Sequence, residues 1–331
     1  MNKAQKNWQL AFEWLCLRRR HASPNAGVWH LRHHWQSHGQ ALFSTVQTGA
    51  YRLSAMQVHR HGRTSWVQWC AQDALVLKWV ALQIAEQLPS HERCAHVKGH
   101  GGGRQSVVQV WNALQSSGYA FVYRTDIRGY YRNIRKEQVL SLVKAHIPDQ
   151  VCVKLIEQYL YYSVEDAGEF HTPVFGICRG CALSPLIGAS LLYPVDCHFG
   201  TLDGSFYARY MDDFLVLTHK RWHLRRAIKR LHGYFDQGGF ETHPDKTQLG
   251  RAAKGFDWLG VWFTPDGVSI APRALANRLA KREALFARGC AQGLTKAAIE
   301  ERMQLYDARW NLWAEGLIKG VPAASSASAR A

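Results

Sequence analysis

The sequence has no apolar stretch approaching the ~18–20 continuous residues that a membrane span needs. Its opening, MNKAQKNWQLAFEWLCLRRRH, holds a short apolar run broken by Glu13 and followed by Arg18, Arg19 and Arg20. A secretory leader has the reverse order, with the basic residues first. Eight cysteines in 331 residues are too few for a disulfide scaffold, so reduced thiols are expected. No internal repeat is visible. Acids are scarce as well: 25 Asp and Glu stand against 41 Lys and Arg, a formal net charge of +16 with His neutral. These absences lead to the expectation of a soluble, unexported, cytoplasmic protein with no membrane partner. The surplus of positive charge favours a phosphate polymer or an acidic surface as partner and argues against a plain small-metabolite enzyme.

Core material, by contrast, is plentiful. Hydrophobic residues make up 47% and aromatics 12%, including 13 Trp, which excludes a disordered chain. The length suits one large domain or two to three small ones. The pattern predicts a basic amphipathic helix over 1–20, no regular period from His21 to Gly49, and a helix from the cap Asp73 to about Leu88. After a Gly-rich loop at 98–104 come a helix at about 105–117 and a buried strand, YAFVYRTD, at 119–126. Helices follow at about 136–146 and 151–163, and another starts at Ser184-Pro185 with Ser as its cap. SFYARY and FLVLT read as a hairpin with Met211-Asp212-Asp213 at its tip. A basic helix at 221–236, a strand at 256–263 and two helices at about 272–288 and 294–316 complete the chain, with a disordered tail. The expected class is α+β.

Two acidic sites stand out. Asp126 ends a buried strand, and Asp212-Asp213 sits at an apolar hairpin turn. Carboxylates brought together repel one another unless a cation neutralises them. Mg²⁺ favours a few carboxylates together with phosphate oxygens. Two such ions ~3.5–4 Å apart can activate a 3′-hydroxyl and stabilise departing pyrophosphate. An isolated Asp-Asp turn is ordinarily solvated surface, but here Tyr210, Met211 and Phe214 flank it with residues that favour burial.

Tyr210-Met211-Asp212-Asp213 resembles the YxDD box of reverse transcriptases. The run Thr125 to Ile134 is similar to that family's first catalytic motif, in which an aspartate precedes an aromatic by five residues. Gly176 to Leu186 resembles the second, His243-Pro244-Asp245-Lys246-Thr247 the fourth and Phe256-Asp257-Trp258-Leu259-Gly260 the fifth. All occur in the family's order, with a bacterial flavour of group II intron and retron enzymes. The resemblance implies a right-hand polymerase with an antiparallel palm sheet and a helical thumb. Fingers and a basic extension would span 1–118, the palm 119–264 and the thumb 265–320, leaving a disordered tail at 321–331. It implies an RNA-directed DNA polymerase in which Asp126, Asp212 and the Ile127 carbonyl bind metal, with Asp213 supporting them. Tyr131, with Tyr130 beside it, becomes the steric gate at the nucleotide sugar. Lys246 lies near the triphosphate, Arg60 and Arg63 form a basic fingertip, and Trp258-Leu259-Gly260 grips the primer. Arg179 departs from the pattern, since related enzymes usually carry Gln there. A fixed guanidinium suits phosphate and puts ordinary nucleotide selection in doubt.

Weaker signals remain. Lys98 lies on the Gly-rich basic loop, which lacks the G-x-x-x-x-G-K-[ST] pattern of a nucleotide-hydrolysing site but suits template or nucleotide contact. Arg225, Arg226 and Lys229 line a helix beside Trp222, a face suited to nucleic acid or to solvent. Cys178 and Cys181 form C-x-x-C without the second ligand pair that zinc requires. The implied partners are an RNA template, a DNA or RNA primer and deoxynucleoside triphosphates. A dedicated non-coding RNA or a partner protein, and a mobile-element or antiviral role, stay open. Two alternatives stand beside this reading: a template-independent or protein-primed DNA polymerase, and a non-catalytic, maturase-like RNA-binding protein.

Overall fold

The computed structural model describes residues 2–61 and 64–323. In chain order the first elements are helices α1 (Lys3–Arg18), α2 (Gly27–His33) and α3 (Trp35–Gln47), strands β1 (Met56–His61) and β2 (Thr64–Gln68), and helices α4 (Ala71–Ile84) and α5 (Gly102–Ser117). Strand β3 (Phe121–Asp126) precedes α6 (Tyr130–Asn133), α7 (Lys136–His146), α8 (Gln150–Leu160), β4 (Val164–Asp166) and β5 (Glu169–His171). Next come α9 (Ser184–Leu191), α10 (Tyr193–Gly200), the hairpin β6 (Ser205–Tyr210) and β7 (Asp213–Thr218), and α11 (Arg221–Gly238). The chain continues through β8 (Gln248–Arg251), β9 (Phe256–Trp258), β10 (Val261–Thr264), β11 (Gly267–Ile270), α12 (Pro272–Ala291) and α13 (Lys296–Ile318). Helix and sheet are mixed, in keeping with the α+β expectation. Among the described residues no helix is long and apolar enough to cross a membrane.

The chain forms two compact units, each discontinuous in sequence. One comprises the residues up to Ser90, Gly129–Pro194 and Gly238–Phe240. Its central helix, α4, buries Leu75, Val76, Leu77, Val80 and Ile84, and α1 packs on it through Ala11 and Leu15. Its sheet has the order β2-β1-β4-β5, with β1 and β4 parallel through Met56↔Val164. The other unit comprises His91–Arg128, Val195–Gln237 and the chain from Glu241 onward. It carries the antiparallel sheet β6-β7-β3-β8 and the three-stranded meander β9-β10-β11. Val107 and Val110 of α5, Val122, Leu215, Leu217, Trp258 and Phe263 share one core there.

Several sequence expectations change. The stretch His21–Gly49 contains α2 and α3, although it shows no clear period. Packing supplies what periodicity lacks: Trp35 stacks on Phe12 at 3.7 Å, and the Trp8 indole donates to the Gly39 carbonyl. Asp73 is not a cap. Cys70 takes that place, and Asp73 is fully buried, accepting from the Tyr51 hydroxyl at 2.8 Å and the Ser54 amide at 3.1 Å. Ser184 begins α9, but Leu183 is the N-cap; the Ser184 hydroxyl turns back to the Cys181 carbonyl. The single strand expected at 256–263 is a hairpin, β9 and β10, turning at Leu259 (φ 53°) and Gly260 (φ 85°). Two consecutive positive φ values make the tight turn that matches strand twist. The short strands β4, β5, β8 and β11 carry too few residues to show a period of two. Of the tail expected at 321–331, residues 324–331 lie outside the described residues.

Candidate active site

The β-sheet register sets the acids. β3 and β7 pair antiparallel with Asp126 opposite Asp213, and β6 and β7 close with Tyr210 opposite Asp213. Met211-Asp212 is thus a two-residue turn. Directly opposed residues bring their Cβ atoms to about 4.5–5.5 Å, a separation at which like charges destabilise a sheet. Asp126 is buried, whereas Asp212 and Asp213 are half-buried. Met211 has φ 55°, a left-handed conformation that costs a non-glycine residue energy. Both of its backbone groups are clamped. Its amide donates to His96 Nδ1 at 2.9 Å, and its carbonyl accepts from Arg209 Nη1 at 2.8 Å.

Two side-chain cations answer the acids. The segment 241–243 runs along the end of β3, with the Arg128 amide on the Glu241 carbonyl and the His243 amide on the Asp126 carbonyl. A 3₁₀ turn at Pro244–Lys246 then brings Lys246 Nζ to Asp126 Oδ2 at 2.7 Å. Arg124, from the same strand as Asp126, pairs with Asp213 Oδ1 at 3.1 Å. Burial pushes the Asp213 carboxyl up to about 6; Arg124 pulls it back, Asp126 and Asp212 push it further, and Lys246 opposes them. Among the described residues no three His, Cys, Asp or Glu side chains form a ready-made metal cage. The donor set nevertheless suits a hard divalent cation. All its donors are carboxylate oxygens, and their mutual repulsion, visible at Asp213, is what such a cation relieves.

The raised value has a definite sign. From the ordinary carboxyl value of 3.8 up to about 6, the folded protein keeps a proton that the unfolded chain releases. The contribution of Asp213 is therefore most favourable below pH about 4 and declines as pH rises toward about 6. Denaturant unfolding in EDTA should show wild type losing stability over that window relative to Asp213→Asn, by at most about 3 kcal/mol. Parallel profiles for the two proteins would mean that this carboxyl titrates normally.

The other expected site residues divide. Ile127 is buried, and its amide donates to the Asp212 carbonyl at 3.1 Å, tying the first acidic segment to the turn. Tyr131 is half-buried; a Cβ on Gly188 of α9 would lie 3.2 Å from its hydroxyl, so a glycine leaves room for the ring. Tyr130, expected at the nucleotide, is instead a core residue: it is buried, donates to the Gly188 carbonyl at 2.8 Å and packs on Phe240. Trp258, expected to grip the primer, is fully buried, with its indole on Ser106 Oγ at 3.0 Å; only Leu259 and Gly260 form the turn. Arg60 makes a two-pronged ion pair with Asp166, at 2.6 and 2.5 Å. Arg63 lies outside the described residues. Arg179 is exposed and, with Arg18, Arg19 and Trp14, lines a cavity of about 550 Å³. Lys98, Arg225, Arg226 and Lys229 are exposed. The Cys178 and Cys181 thiols are buried and pushed up to about 12 by burial, which suits packing rather than ligation.

Sequence reasoning missed the group that supports the turn. Arg209 and Asp196 are fully buried and pair side-on through one guanidinium edge, with Arg209 Nε on Asp196 Oδ1 at 2.7 Å and Nη2 on Oδ2. The Tyr207 hydroxyl donates to the same Oδ1 at 2.7 Å. The signal was an arginine inside an otherwise apolar strand, SFYARY, which demands a buried acid somewhere. Asp196, closing an apolar helical run, was the available one.

Residues 77–263, more than half of the chain, match the reverse transcriptase (RNA-dependent DNA polymerase) family. Among curated proteins, the retron Mx162 reverse transcriptase of Myxococcus xanthus is 25% identical over 194 residues, covering 53% of this chain and 39% of that protein. The chain thus spans about two fifths of this relative's length. Among solved structures, apo telomerase from Candida tropicalis covers 64% of this chain and 46% of its own, at 9% identity and a TM-score of 0.47. A form of it truncated from the C-terminal domain covers 56% and 43%, at 13% identity and 0.42. Both structural likenesses are too distant to carry an argument.

Proposed function

The chain belongs to the reverse transcriptase family, and on that premise we propose that it is an RNA-directed DNA polymerase adding deoxynucleotides to a primer 3′-hydroxyl. The observation that carries this reading is the register of Asp126 opposite Asp213 beside the Met211-Asp212 turn, with Lys246 on Asp126. In this reading the described parts of 1–118 serve as fingers, 119–264 as palm and 265–320 as thumb. Asp126, Asp212 and the Ile127 carbonyl would hold divalent cations, with Mg²⁺ favoured by the all-oxygen donor set, and Asp213 would support them. When bound, these ions supply charge neutralisation and a more acidic 3′-hydroxyl. The hydroxyl oxygen bonds to the α-phosphorus as the bond to pyrophosphate breaks. Lys246 is the group placed to give pyrophosphate a proton, once it leaves Asp126. Leu259-Gly260 contacts the primer, while Arg60, Arg63, Lys98 and Arg179 meet nucleotide or template phosphates.

The test is extension of a primer annealed to an RNA of known sequence, with Mg²⁺ and all four deoxynucleotides. A DNA product complementary to the RNA, abolished by EDTA, is expected. Equal synthesis without template would make the protein a terminal transferase. RNA binding with no synthesis would make it a non-catalytic binder.

Two further outcomes follow. Tyr131 lies five residues after Asp126, so Tyr131→Ala should raise ribonucleotide incorporation relative to deoxynucleotide by about tenfold or more, the scale of one steric contact in a pocket. An unchanged ratio in single-nucleotide assays would remove the gate from Tyr131. Replacing Arg225, Arg226 and Lys229 together by Ala should weaken RNA binding and flatten log K against log[salt] by up to about 2, at ~0.7 per phosphate contact. Affinity and slope equal to wild type would mark this face as solvated surface.

A further inference from the structure

A cavity of about 800 Å³ lies beside α11, in the same unit as the carboxylates but at the other end of their hairpin. Ser205 and Thr218, paired at that end, line it; the acidic turn closes the opposite end, beyond Tyr210 and Asp213. Five residues at ~3.3 Å each put the two ends roughly 17 Å apart. The cavity is therefore separate from the catalytic turn.

Its lining is strongly cationic. Arg226, Lys229 and Arg230 reach it from α11, with a single carboxylate, Asp203, facing them. Among the described residues no carboxylate pairs with Arg226 or Lys229. Among the described residues, His223 Nδ1 is buried with no hydrogen-bond partner, which leaves its bonding capacity unused. His198 is held below the usual imidazole range by burial and by Arg230. An aromatic platform adjoins these cations: Tyr234 lies under the Arg230 guanidinium at 5.5 Å and beside the His198 ring at 5.7 Å. Arg226, Lys229, Arg230 and Gly233 fall on one helical stripe, and a Cβ on Gly233 would meet nothing within 4 Å. Glycine inside a helix costs about 1 kcal/mol relative to alanine. No packing contact among the described residues requires a glycine here, and its lack of a side chain leaves this part of the cavity open.

We propose that this cavity seats one nucleotide, its phosphate among Arg226, Lys229 and His223 and its base against Tyr234. The nucleotide comes either from an RNA strand or from the free nucleotide pool. The phosphate needs charged donors, and the base needs a ring to stack on. Arg225, on the same helix, is not part of the lining. The inference does not depend on the polymerase reading, because binding is read without synthesis.

The test uses the full chain without deoxynucleotides, a single-stranded RNA carrying 4-thiouridine, and 5′-AMP as the free probe. Photocrosslinked peptides are mapped by mass spectrometry. Crosslinks are expected within 198–237, centred on Tyr234. Arg226→Glu/Lys229→Glu should lower them at least tenfold, and so should Gly233→Leu, which fills the cavity without changing charge and favours the helix. Lys144→Ala, which removes an exposed cation of α7 outside the lining, should leave them intact. Loss of the crosslink on adding millimolar AMP identifies a free-nucleotide site, and persistence identifies an RNA-strand site. Crosslinks confined to other segments, or unchanged by both the double variant and Gly233→Leu, would overturn the proposal. Failure of primer extension would leave these outcomes readable, so the two readings fail separately.

Discussion

Asn in place of Asp126 or Asp212 is expected to stop nucleotide addition while the protein stays folded and binds RNA. Asp126 ends β3 and Asp212 lies in the turn between β6 and β7, beside the register that sets Asp126 opposite Asp213, so each loss removes one side of a shared cation site. Metal-based charge stabilisation contributes several kcal/mol to a transition state, which corresponds to a rate loss of roughly a thousandfold or more. The fold should tolerate either change, because Asn is isosteric with Asp. Asp126→Asn also frees Lys246 from an ion pair at 2.7 Å, and RNA affinity reports whether that disturbs the surface. Single-nucleotide incorporation by stopped-time assay, with unfolding curves for each variant, checks the prediction. Synthesis within tenfold of wild type in either variant would sink the assignment.

The second large effect lies behind the turn. Arg209→Met leaves the Asp196 carboxylate buried without its partner and should cost about 3–5 kcal/mol of stability. Removing both charges, as Asp196→Leu/Arg209→Met, should restore much of that loss, since a buried pair and an apolar replacement are often close in stability. Synthesis should not return with it. Arg209 also donates to the Met211 carbonyl, and Met211 sits in a left-handed conformation that needs holding. A double-mutant cycle on denaturant unfolding, run beside kcat/KM for primer extension, separates the two roles. A double variant that is stable and polymerises like wild type would make the pair purely structural.

How far the sequence speaks depends on whether an element declares itself locally. The acidic strand and hairpin do: YAFVYRTD is an apolar run that ends in Asp126, and FLVLT follows directly on Asp212-Asp213, with its hairpin partner SFYARY just before the turn. Lys246 was placed near the triphosphate by motif order, but its contact with Asp126 depends on the 3₁₀ turn and the run of 241–243 along β3. Asp196 and Arg209 are thirteen residues apart, and only the folded sheet brings them together. The turn at Leu259-Gly260 interrupts what reads as one continuous strand, since apolar residues flank it on both sides. Trp258 and Tyr130 belong to motifs, but burial decides what their side chains touch. The helices at 27–47 are legible only through Trp8, Phe12 and Trp35, aromatics that pack across the chain rather than along it.

The central claim is that Asp126 and Asp212 gather divalent cations for nucleotide addition. Its most direct test is Mn²⁺ binding, followed by electron paramagnetic resonance, to the full chain with a primer–RNA template and a non-hydrolysable deoxynucleotide. Tight binding by wild type, weakened at least tenfold in Asp126→Asn and in Asp212→Asn and unchanged in Arg18→Ala, is the predicted result; equal Mn²⁺ affinity in all four proteins would contradict it.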